Sequence, residues 1–326
     1  MELVCPAGTP AALRAALEAG ADVVYLGFRD ETNARNFPGL NFSPAELKDA
    51  LTLAHSTGRQ IYVAINTYPE AGNLAPWHKA VDIAADLGAD AVILADTGLL
   101  DYAQRTHPHL RRHLSVQASA SNPESINFYR TAFDVQRVVL PRVLTVREIA
   151  ELISEIDVET EVFAFGGMCV MAEGRCSLSS YITGKSPNMN GVCSPASHVK
   201  YEQRRGKLVS KLGDFTINAF PDNEAAGYPT LCKGRFAGHS GKASYLFEEP
   251  TSLNVMALLP ELIKTGVKAL KIEGRQRGKA YVTQVVSSYR QAIDAVLRGD
   301  DVPQIDMENI TEGTRSTAGA YSKGWR

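Results

Sequence analysis

The chain has 326 residues, with 34 Lys or Arg against 36 Asp or Glu, so its formal net charge is −2. Its content of 44% hydrophobic and 21% charged residues is that of an ordinary globular protein. The composition excludes collagen-like, disordered and disulfide-scaffold proteins. The length fits either two domains or one α/β barrel. The near-neutral charge argues against a large surface for DNA or RNA, because nucleic-acid binders usually carry a clear basic excess.

No segment of the sequence has the length and hydrophobicity of a membrane span, which needs roughly 18 apolar residues. The longest apolar runs, such as 89–95, have the length of a strand. The first residues also lack the basic and apolar regions of a signal peptide. We therefore expect a cytoplasmic protein without a transmembrane segment.

Short apolar runs alternate with helical patterns along most of the chain. Eight runs predict strands, and they are nearly continuously apolar, as is typical of a parallel sheet covered on both faces. The predicted strands are 2–7, 23–27, 61–66, 91–96, 113–119, 137–141, 161–166 and 269–273. Helical patterns occupy 10–19, 44–57, 77–87, 146–156 and 276–298. This alternation predicts an α/β fold of the (β/α)8 TIM-barrel type.

The alternation breaks down between residue 167 and about residue 250, where Gly, Ser, Asn and Pro are frequent. We predict a cysteine-bearing insertion before the last strand, which would project from the C-terminal face of the barrel. Barrel enzymes build their active sites on that face. The predicted division is a barrel domain over 1–298, which includes the insertion at 167–250, and a polar C-terminal tail over 299–326.

Four of the five cysteines lie in this insertion, with the spacing C-x6-C-x16-C-x38-C; they are Cys169, Cys176, Cys193 and Cys232. A reducing compartment disfavours a disulfide, and a zinc site usually shows close C-x2–4-C pairs, which are missing here. An iron–sulfur cluster held by four cysteines tolerates wide spacing, and neighbouring glycines let the backbone approach it. The cluster is the favoured interpretation, with zinc and a disulfide as alternatives. Cys5, in the first predicted strand, is interpreted as a core residue.

Polar residues at the ends of the predicted strands are expected to face the mouth of the barrel. The catalytic candidates among them are Asn66, Gln117, Arg142, Glu273 and Arg275. Asp96, Asn33 and Arg35 fit the same region, where arginines could hold a dicarboxylate in bidentate fashion. Glu173 and Arg175, between two cysteines, could tune a cluster or form an ion pair. The ordinary alternative for each residue is a structural salt bridge or hydrogen bond.

Other functional motifs are missing or weak. There is no H-E-x-x-H motif and no helical H-x-x-x-H pair, which argues against a metalloprotease, and no G-x-G-x-x-G or Walker motif for a nucleotide. His113, at the start of a predicted strand, is interpreted as a satisfied surface or core histidine. One basic cluster stands out from the neutral chain, formed by Lys200, Arg204, Arg205 and Lys207. Such a run is usually a solvated loop, and contact with RNA phosphates is the alternative.

Several stretches resemble the collagenase-like peptidase family of bacteria, and together they span nearly the whole chain. They are Cys-Pro-Ala-Gly at 5–8, Thr-Asn-Ala-Arg at 32–35, and the longer segments 163–169, 173–181, 227–235 and 270–275. All four clustered cysteines fall within the resemblance or between its segments. Within the family, 248–254 and 272–277 are most similar to proteins of oxygen-independent ubiquinone biosynthesis.

The resemblance implies a 4Fe–4S cluster on Cys169, Cys176, Cys193 and Cys232, and a heterodimer with a paralogous protein. It implies that the pair hydroxylates the aromatic ring of ubiquinone precursors without O2. A lipid-carrier accessory protein would present the prenylated substrate. Prephenate is the implied oxygen donor, since related members take the oxygen atom from it when they hydroxylate RNA bases. Because all four irons would be bound by cysteine, we expect the cluster to transfer electrons.

Three alternatives to this function remain. The first is a prephenate-dependent RNA base hydroxylase of the same family, with the basic cluster on phosphate. The second is a peptidase-like hydrolase, for which the sequence offers no assignable pair of nucleophile and base. The third is a non-catalytic partner that carries electrons or acts as a scaffold.

Overall fold

The computed structural model describes residues 1–170, 176–224, 226–239 and 241–323. Its first part alternates strands and helices. The strands are β1 (Glu2–Pro6), β2 (Val23–Leu26), β3 (Gln60–Ile65), β4 (Ala91–Leu94), β5 (Arg111–Leu114), β6 (Arg137–Val139) and β7 (Glu159–Gly167). The helices that follow the first six are α1 (Pro10–Glu18), α2 (Pro44–Ser56), α3 (Ala75–Asp86), α4 (Thr97–Thr106), α5 (Pro123–Phe133) and α6 (Val146–Ser154).

Local sequence determines where several of these helices begin. The side chains of Ser43 and Thr145 each accept a hydrogen bond from the backbone N–H of a glutamate in the third position of the helix. The carboxylate of that glutamate accepts in return from the N–H of the cap residue, so α2 and α6 begin with capping boxes. Proline at the first turn, as in α1 and α2, fits because its missing N–H has no helical partner there.

The insertion after β7 contains more regular structure than its composition predicts. It holds α7 (Ser177–Thr183), α8 (Pro187–Asn190), an antiparallel sheet of β8 (Val199–Arg204), β9 (Lys207–Leu212) and β10 (Phe215–Phe220), and a hairpin of β11 (Arg235–Ala237) and β12 (Ala243–Tyr245). It ends in β13 (Ser252–Asn254), which pairs antiparallel with the end of β7.

The chain then returns to the barrel through α9 (Leu259–Lys264), β14 (Ala269–Ile272) and α10 (Lys279–Arg298). β14 pairs in parallel with both β1 and β7, and this closes an eight-stranded parallel barrel. The predicted (β/α)8 fold is therefore confirmed. Predicted and observed strand ends agree within two residues, except that the strand predicted over 113–119 stops at Leu114.

The early end of β5 has a local cause. The Ser115 side chain accepts a hydrogen bond from the N–H of Gln117, and a 3-10 turn over Val116–Ala118 follows. Such a bond gives the backbone an alternative to the sheet ladder. The turn moves Gln117 away from the strand direction and toward the mouth of the barrel.

The barrel has two apolar regions and a charged interior. The main core lies between strands and helices, while a separate cluster that includes Val4, Tyr25, Tyr62 and Ile93 fills the barrel. Glu161 is fully buried among these residues, where Lys271 lies 2.6 Å and Arg137 3.4 Å from its carboxylate. Among the described residues, no helix has both the length and the hydrophobicity needed to cross a membrane.

Candidate functional site

A cluster of charged residues lies where β6 and β14 reach the C-terminal mouth of the barrel. Arg142 Nη2 lies 2.5 Å from Glu273 Oε2, and Arg35 Nη2 lies 3.6 Å from Glu273 Oε1. Although burial alone would raise it, the two guanidinium groups hold the pKa of Glu273 below its ordinary value. The guanidinium carbon of Arg142 also lies 3.5 Å from the centre of the Phe163 ring. Glu273 is therefore an anion between two cations, and Arg142 is fixed on both sides.

Arg275 occupies the same mouth, where it contacts the uncharged side chains of Asn33 and Tyr25. Its Nη1 donates to Asn33 Oδ1 at 3.1 Å, and its guanidinium lies 5.7 Å from the centre of the Tyr25 ring. Burial is the main cause that lowers the pKa of Arg275 to about 10, so the group stays charged at neutral pH but is poorly solvated. A Cβ on Gly27 would lie 2.6 Å from Arg275 Nη1, so the Arg275–Asn33 contact requires glycine there. A poorly solvated guanidinium is well suited to bind an anionic ligand.

The remaining polar candidates divide into structural and available groups. Asn66 accepts from the Ala34 N–H at 3.0 Å and donates to Ser115 Oγ at 3.3 Å, which ties the loop after β2 to the end of β5. Asp96 caps α4 by accepting from the Leu99 N–H at 3.0 Å. Gln117 differs, since its buried side-chain oxygen has no hydrogen-bond partner among the described residues. Of the three, Gln117 has an acceptor that a ligand could use.

The insertion packs against the loops of this mouth. The Tyr68 N–H, after β3, donates to the Asn188 carbonyl in α8 at 2.8 Å. Gly191, with φ +78°, approaches the Asn33 carbonyl so closely that a Cβ at this position would overlap with its oxygen. The predicted projection of the insertion from the C-terminal face is therefore observed, and its cysteine-bearing start lies beside the charged cluster.

Three of the clustered cysteines interact electrostatically. Burial is the main cause that raises the pKa of the Cys232 thiol to about 12. The charge of Lys233 opposes this shift, while Cys169 and Cys193 add to it. Cys176 caps α7, its sulfur accepting from the Ser179 N–H at 3.4 Å, and the Ser179 hydroxyl bonds to the Cys193 carbonyl. Cys169 and Cys193 are exposed and Cys176 and Cys232 are half-buried, whereas Cys5 is fully buried. The fold thus brings the four predicted ligands into one region.

The cysteine region and the charged mouth share Arg35. Burial alone would lower the pKa of Arg35. The nearby Glu273, together with Cys193 and Cys169, outweighs this effect, so the pKa lies above its ordinary value. A cation in this position lies between the carboxylate of the mouth and the sulfurs of the insertion. Electrostatics therefore links the two halves of the site.

A single metal ion and an iron–sulfur cluster make different demands on these cysteines. Within the described ranges no three His, Cys, Asp or Glu side chains lie close enough to hold a single metal ion. An iron–sulfur cluster held by four cysteines makes a different demand, since each cysteine binds its own iron and the ligands stand farther apart. Four cysteine side chains in one region have the chemistry of that donor set, and the ligand assignment stays a prediction.

Some charged residues of this region have contacts that the sequence does not predict. Glu312 lies beside Lys233 and 3.2 Å from Arg277, although the tail was predicted only as a polar segment. The sequence places Lys271 and Glu161 within apolar strands and gives no sign of their pairing, yet they form the charged interior below the mouth. Glu173 and Arg175 lie outside the described residues.

An α/β barrel whose mouth is flanked by a four-cysteine insertion and lined by arginines defines the class of this protein. The chain belongs to Peptidase family U32, whose family model matches residues 8–326. It is 31% identical to "tRNA hydroxylation protein P" of Haemophilus influenzae over 95% of this chain and 71% of that protein. It is 32% identical to the protein of that name in Escherichia coli, over 91% of this chain and 69% of that one.

Another relative has a different name. The chain is 29% identical to "Collagenase" of Porphyromonas gingivalis over 99% of its length and 72% of that protein. The family relationship predicted from the quoted motifs is thereby confirmed, while the names of its members include both hydroxylation and proteolysis.

Proposed function

We propose that this chain is the iron–sulfur subunit of an oxygen-independent hydroxylase. The observation that carries the proposal is the convergence of four cysteines beside a barrel mouth lined by Arg35 and Arg142. Relatives of about 30% identity that are named hydroxylation proteins support this reaction class. Addition of a hydroxyl group without O2 needs another oxygen donor and a path for electrons, and an iron–sulfur cluster supplies one-electron steps.

In this proposal Cys169, Cys176, Cys193 and Cys232 hold the cluster. Arg142 is held in position by Glu273, and the poorly solvated Arg275 attracts an anionic ligand into the mouth. Prephenate, a dicarboxylate, is the oxygen donor that the family resemblance suggests. The unpaired oxygen of Gln117 is available to accept a hydrogen bond from a bound molecule.

The names of the relatives favour an RNA base as the substrate. The hairpin of β8 and β9 supports this candidate, because Lys200 faces Lys211 and Arg204 faces Lys207 across the strands. Directly opposed like charges destabilise a sheet. Glu202 on the same hairpin compensates part of this charge through Arg204 and Lys211, and bound phosphates would relieve the remaining repulsion. Tyr201, 45% exposed, lies on the opposite face of the hairpin from Lys200 and offers an aromatic surface of the kind that stacks on bases.

A second candidate substrate is the prenylated aromatic ring of a ubiquinone precursor. Two stretches, 248–254 and 272–277, resemble UbiU, a protein of oxygen-independent ubiquinone biosynthesis. In that case the partner is a UbiV-like paralogue in a heterodimer, and a lipid-carrier accessory protein presents the substrate. The formal net charge of −2 also favours a substrate without a phosphate backbone.

A peptidase-like hydrolase has less support, despite the family description and the relative named "Collagenase". Hydrolysis by a nucleophile requires an activating base beside it. The serine–histidine contact in the described part of the chain joins adjacent residues, Ser197 Oγ and His198 Nδ1 at 3.0 Å, and it lies exposed on the insertion.

Anaerobic purification followed by iron, sulfide and zinc analysis tests the central claim. We expect roughly four irons per chain with matching sulfide and a visible absorption band. One zinc per chain without iron would overturn the proposal and identify the cysteines as a structural clamp.

Cells that lack the gene then separate the two substrates. Mass spectrometry of tRNA nucleosides reports a missing oxygen if RNA is the substrate, while anaerobic ubiquinone content reports the other candidate. If RNA is the substrate, complementation with Lys200→Glu/Lys207→Glu is expected to leave the RNA modification missing. The control is a double substitution with the same change of charge, Lys48→Glu on α2 with Arg147→Glu on α6, since both side chains are on exposed helix surfaces.

A further inference from the structure

The segment after α10 returns to the mouth of the barrel and is firmly attached there. A short strand, β15 (Ser316–Thr317), pairs in parallel with β13, so that Leu253 faces Thr317. Tyr321 is 3% exposed, and its hydroxyl donates to the Phe163 carbonyl of β7 at 2.9 Å. These contacts attach the segment both to β13, the last strand of the insertion, and to the barrel strand β7.

Glu312 lies in this attached segment at the point where β7 ends. Its N–H donates to Ser252 Oγ at 2.9 Å. Its carboxylate lies against Gly167, where a Cβ would be 3.1 Å from Glu312 Oε1, and accepts from Arg277 Nη2 at 3.2 Å. Backbone and side chain therefore both fix the position of this carboxylate relative to the barrel.

The same carboxylate forms an ion pair with Lys233, the residue that directly follows Cys232. The Lys233 side chain is 14% exposed, so the contact is shielded from most of the solvent. The Cys232 carbonyl accepts from the Glu248 N–H at 3.2 Å, which supports the turn from its other side. Lys233 is therefore the connection between the Cys232 turn and the barrel.

We propose that Glu312 is a positioning residue for the metal cluster, which it serves by holding the Cys232 turn in place through Lys233. The inference rests on the proposed function in one respect, namely that Cys232 is a cluster ligand. Cys232 is the last ligand in the chain and is separated from Cys193 by 38 residues, so nothing local in sequence fixes its distance from the other three. A rigid external contact supplies that constraint. Outer partners of this kind orient ligands and control metal retention.

The test uses the anaerobically purified holoprotein and the variant Glu312→Gln. We expect about tenfold faster loss of iron to an excess of chelator, in the range found when outer partners of metal ligands are removed. We also expect a changed reduction potential, because neutralising Glu312 leaves the charge of Lys233 uncompensated beside the cluster. Glu308→Gln is the matched control, since it removes one exposed carboxylate from the same segment.

Two further measurements keep the outcome interpretable. Thermal unfolding of the metal-free variants shows whether Glu312→Gln acts only by loosening the fold, and in that case its iron loss would follow the change in unfolding temperature. The double variant Lys233→Met/Glu312→Gln should lose iron no faster than Lys233→Met alone if both act through one contact. Equal iron loss from wild type, Glu312→Gln and Glu308→Gln would overturn the inference. A wild-type protein without iron would instead refute the proposed function.

Discussion

Arg142 and Glu273 form the central ion pair of the barrel mouth, with 2.5 Å between Nη2 and Oε2. The two residues follow β6 and β14, strands that are not neighbours in the barrel, so the pair spans the end of β7 between them. Arg142 also covers the Phe163 ring of β7. The contact therefore holds three strand ends in a fixed arrangement at the entrance to the candidate site.

The variant Glu273→Gln should lose stability, because Arg142 and Arg35 are then left without their common anion. We expect a decrease of about 2 kcal/mol in the free energy of unfolding at pH 7, as for a hydrogen bond to a charged group. Urea unfolding of wild type and variant at several pH values measures it.

The pH dependence of that difference follows from the lowered pKa of Glu273. The contribution of the carboxylate is fully present above its unfolded-state pKa and is lost as pH falls through the lower folded-state value. Wild type and Glu273→Gln should thus converge in strongly acidic solution. A difference that stayed constant down to the folded-state pKa and below it would contradict the ion pair as its cause.

His113 should make the protein sensitive to mild acid. It is fully buried inside the barrel, its ring centre 4.6 Å from that of Tyr62, and burial together with Arg137, Arg111 and Lys271 lowers its pKa well below 6.5. Neither ring nitrogen has a hydrogen-bond partner among the described residues, so the interpretation of a satisfied histidine is wrong in this respect. His113 binds a proton near pH 6.5 in the unfolded chain but stays neutral at this pH in the folded protein. The folding stability therefore falls as pH decreases below that value.

We expect this histidine to account for about 1.5 kcal/mol of lost stability between pH 6.5 and about pH 5. His113→Phe keeps an aromatic ring beside Tyr62 and removes the titration. Its unfolding free energy should therefore vary less over this interval than that of the wild type. Equal pH slopes for the two proteins would show that His113 is protonated in the fold.

The cysteines should separate into one structural and four metal-binding residues. Cys193→Ala is expected to lower the iron and sulfide content of the anaerobically purified protein to a small fraction of the wild-type value. Cys5→Ala, in the buried first strand, should keep the metal and lose only some stability through the small cavity it creates. Full iron occupancy in Cys193→Ala would remove this residue from the ligand set.

Gly166 should be intolerant of any side chain. Its φ is +146°, and a Cβ would lie 2.5 Å from the Cβ of Glu273. Gly166→Ala is expected to cost about 1–3 kcal/mol through strain at this backbone conformation, and to disturb the Arg142–Glu273 pair as well. Gly238→Ala is the control, because a Cβ there meets open space. Thermal unfolding of the two metal-free variants measures the difference.

The barrel could be predicted from the sequence because its strands carry nearly continuous apolar runs. The sheet of the insertion could not be predicted, because β8 is mostly exposed and has polar residues on both faces. Lys200 lies on one face and Tyr201 and Gln203 on the other. The period-2 signal of a half-buried strand is missing where neither face is strongly apolar.

The candidate site was predictable in part for a similar reason. Position at a strand end was enough to select Arg142, Glu273 and Arg275, because the barrel brings all such ends to one face. The role of Glu312 was not predictable, since its partner Lys233 lies far away in sequence and no local pattern marks a long-range ion pair. Asp96 was selected by its position at a strand end, but its side chain caps the N-terminus of α4.

The pairing of Glu2 in β1 with Ala269 in β14 has a consequence for biogenesis. During translation β1 and β7 remain open edges until β14 leaves the ribosome, and by then the entire cysteine-bearing insertion has been synthesised. Pairing of strands so distant in sequence is slow, because the entropy lost on closing the long chain loop between them must be overcome before their contacts form. If the cysteines hold the proposed cluster, their thiols would be open to iron and sulfide before the barrel closes, and cluster loading would compete in time with ring closure.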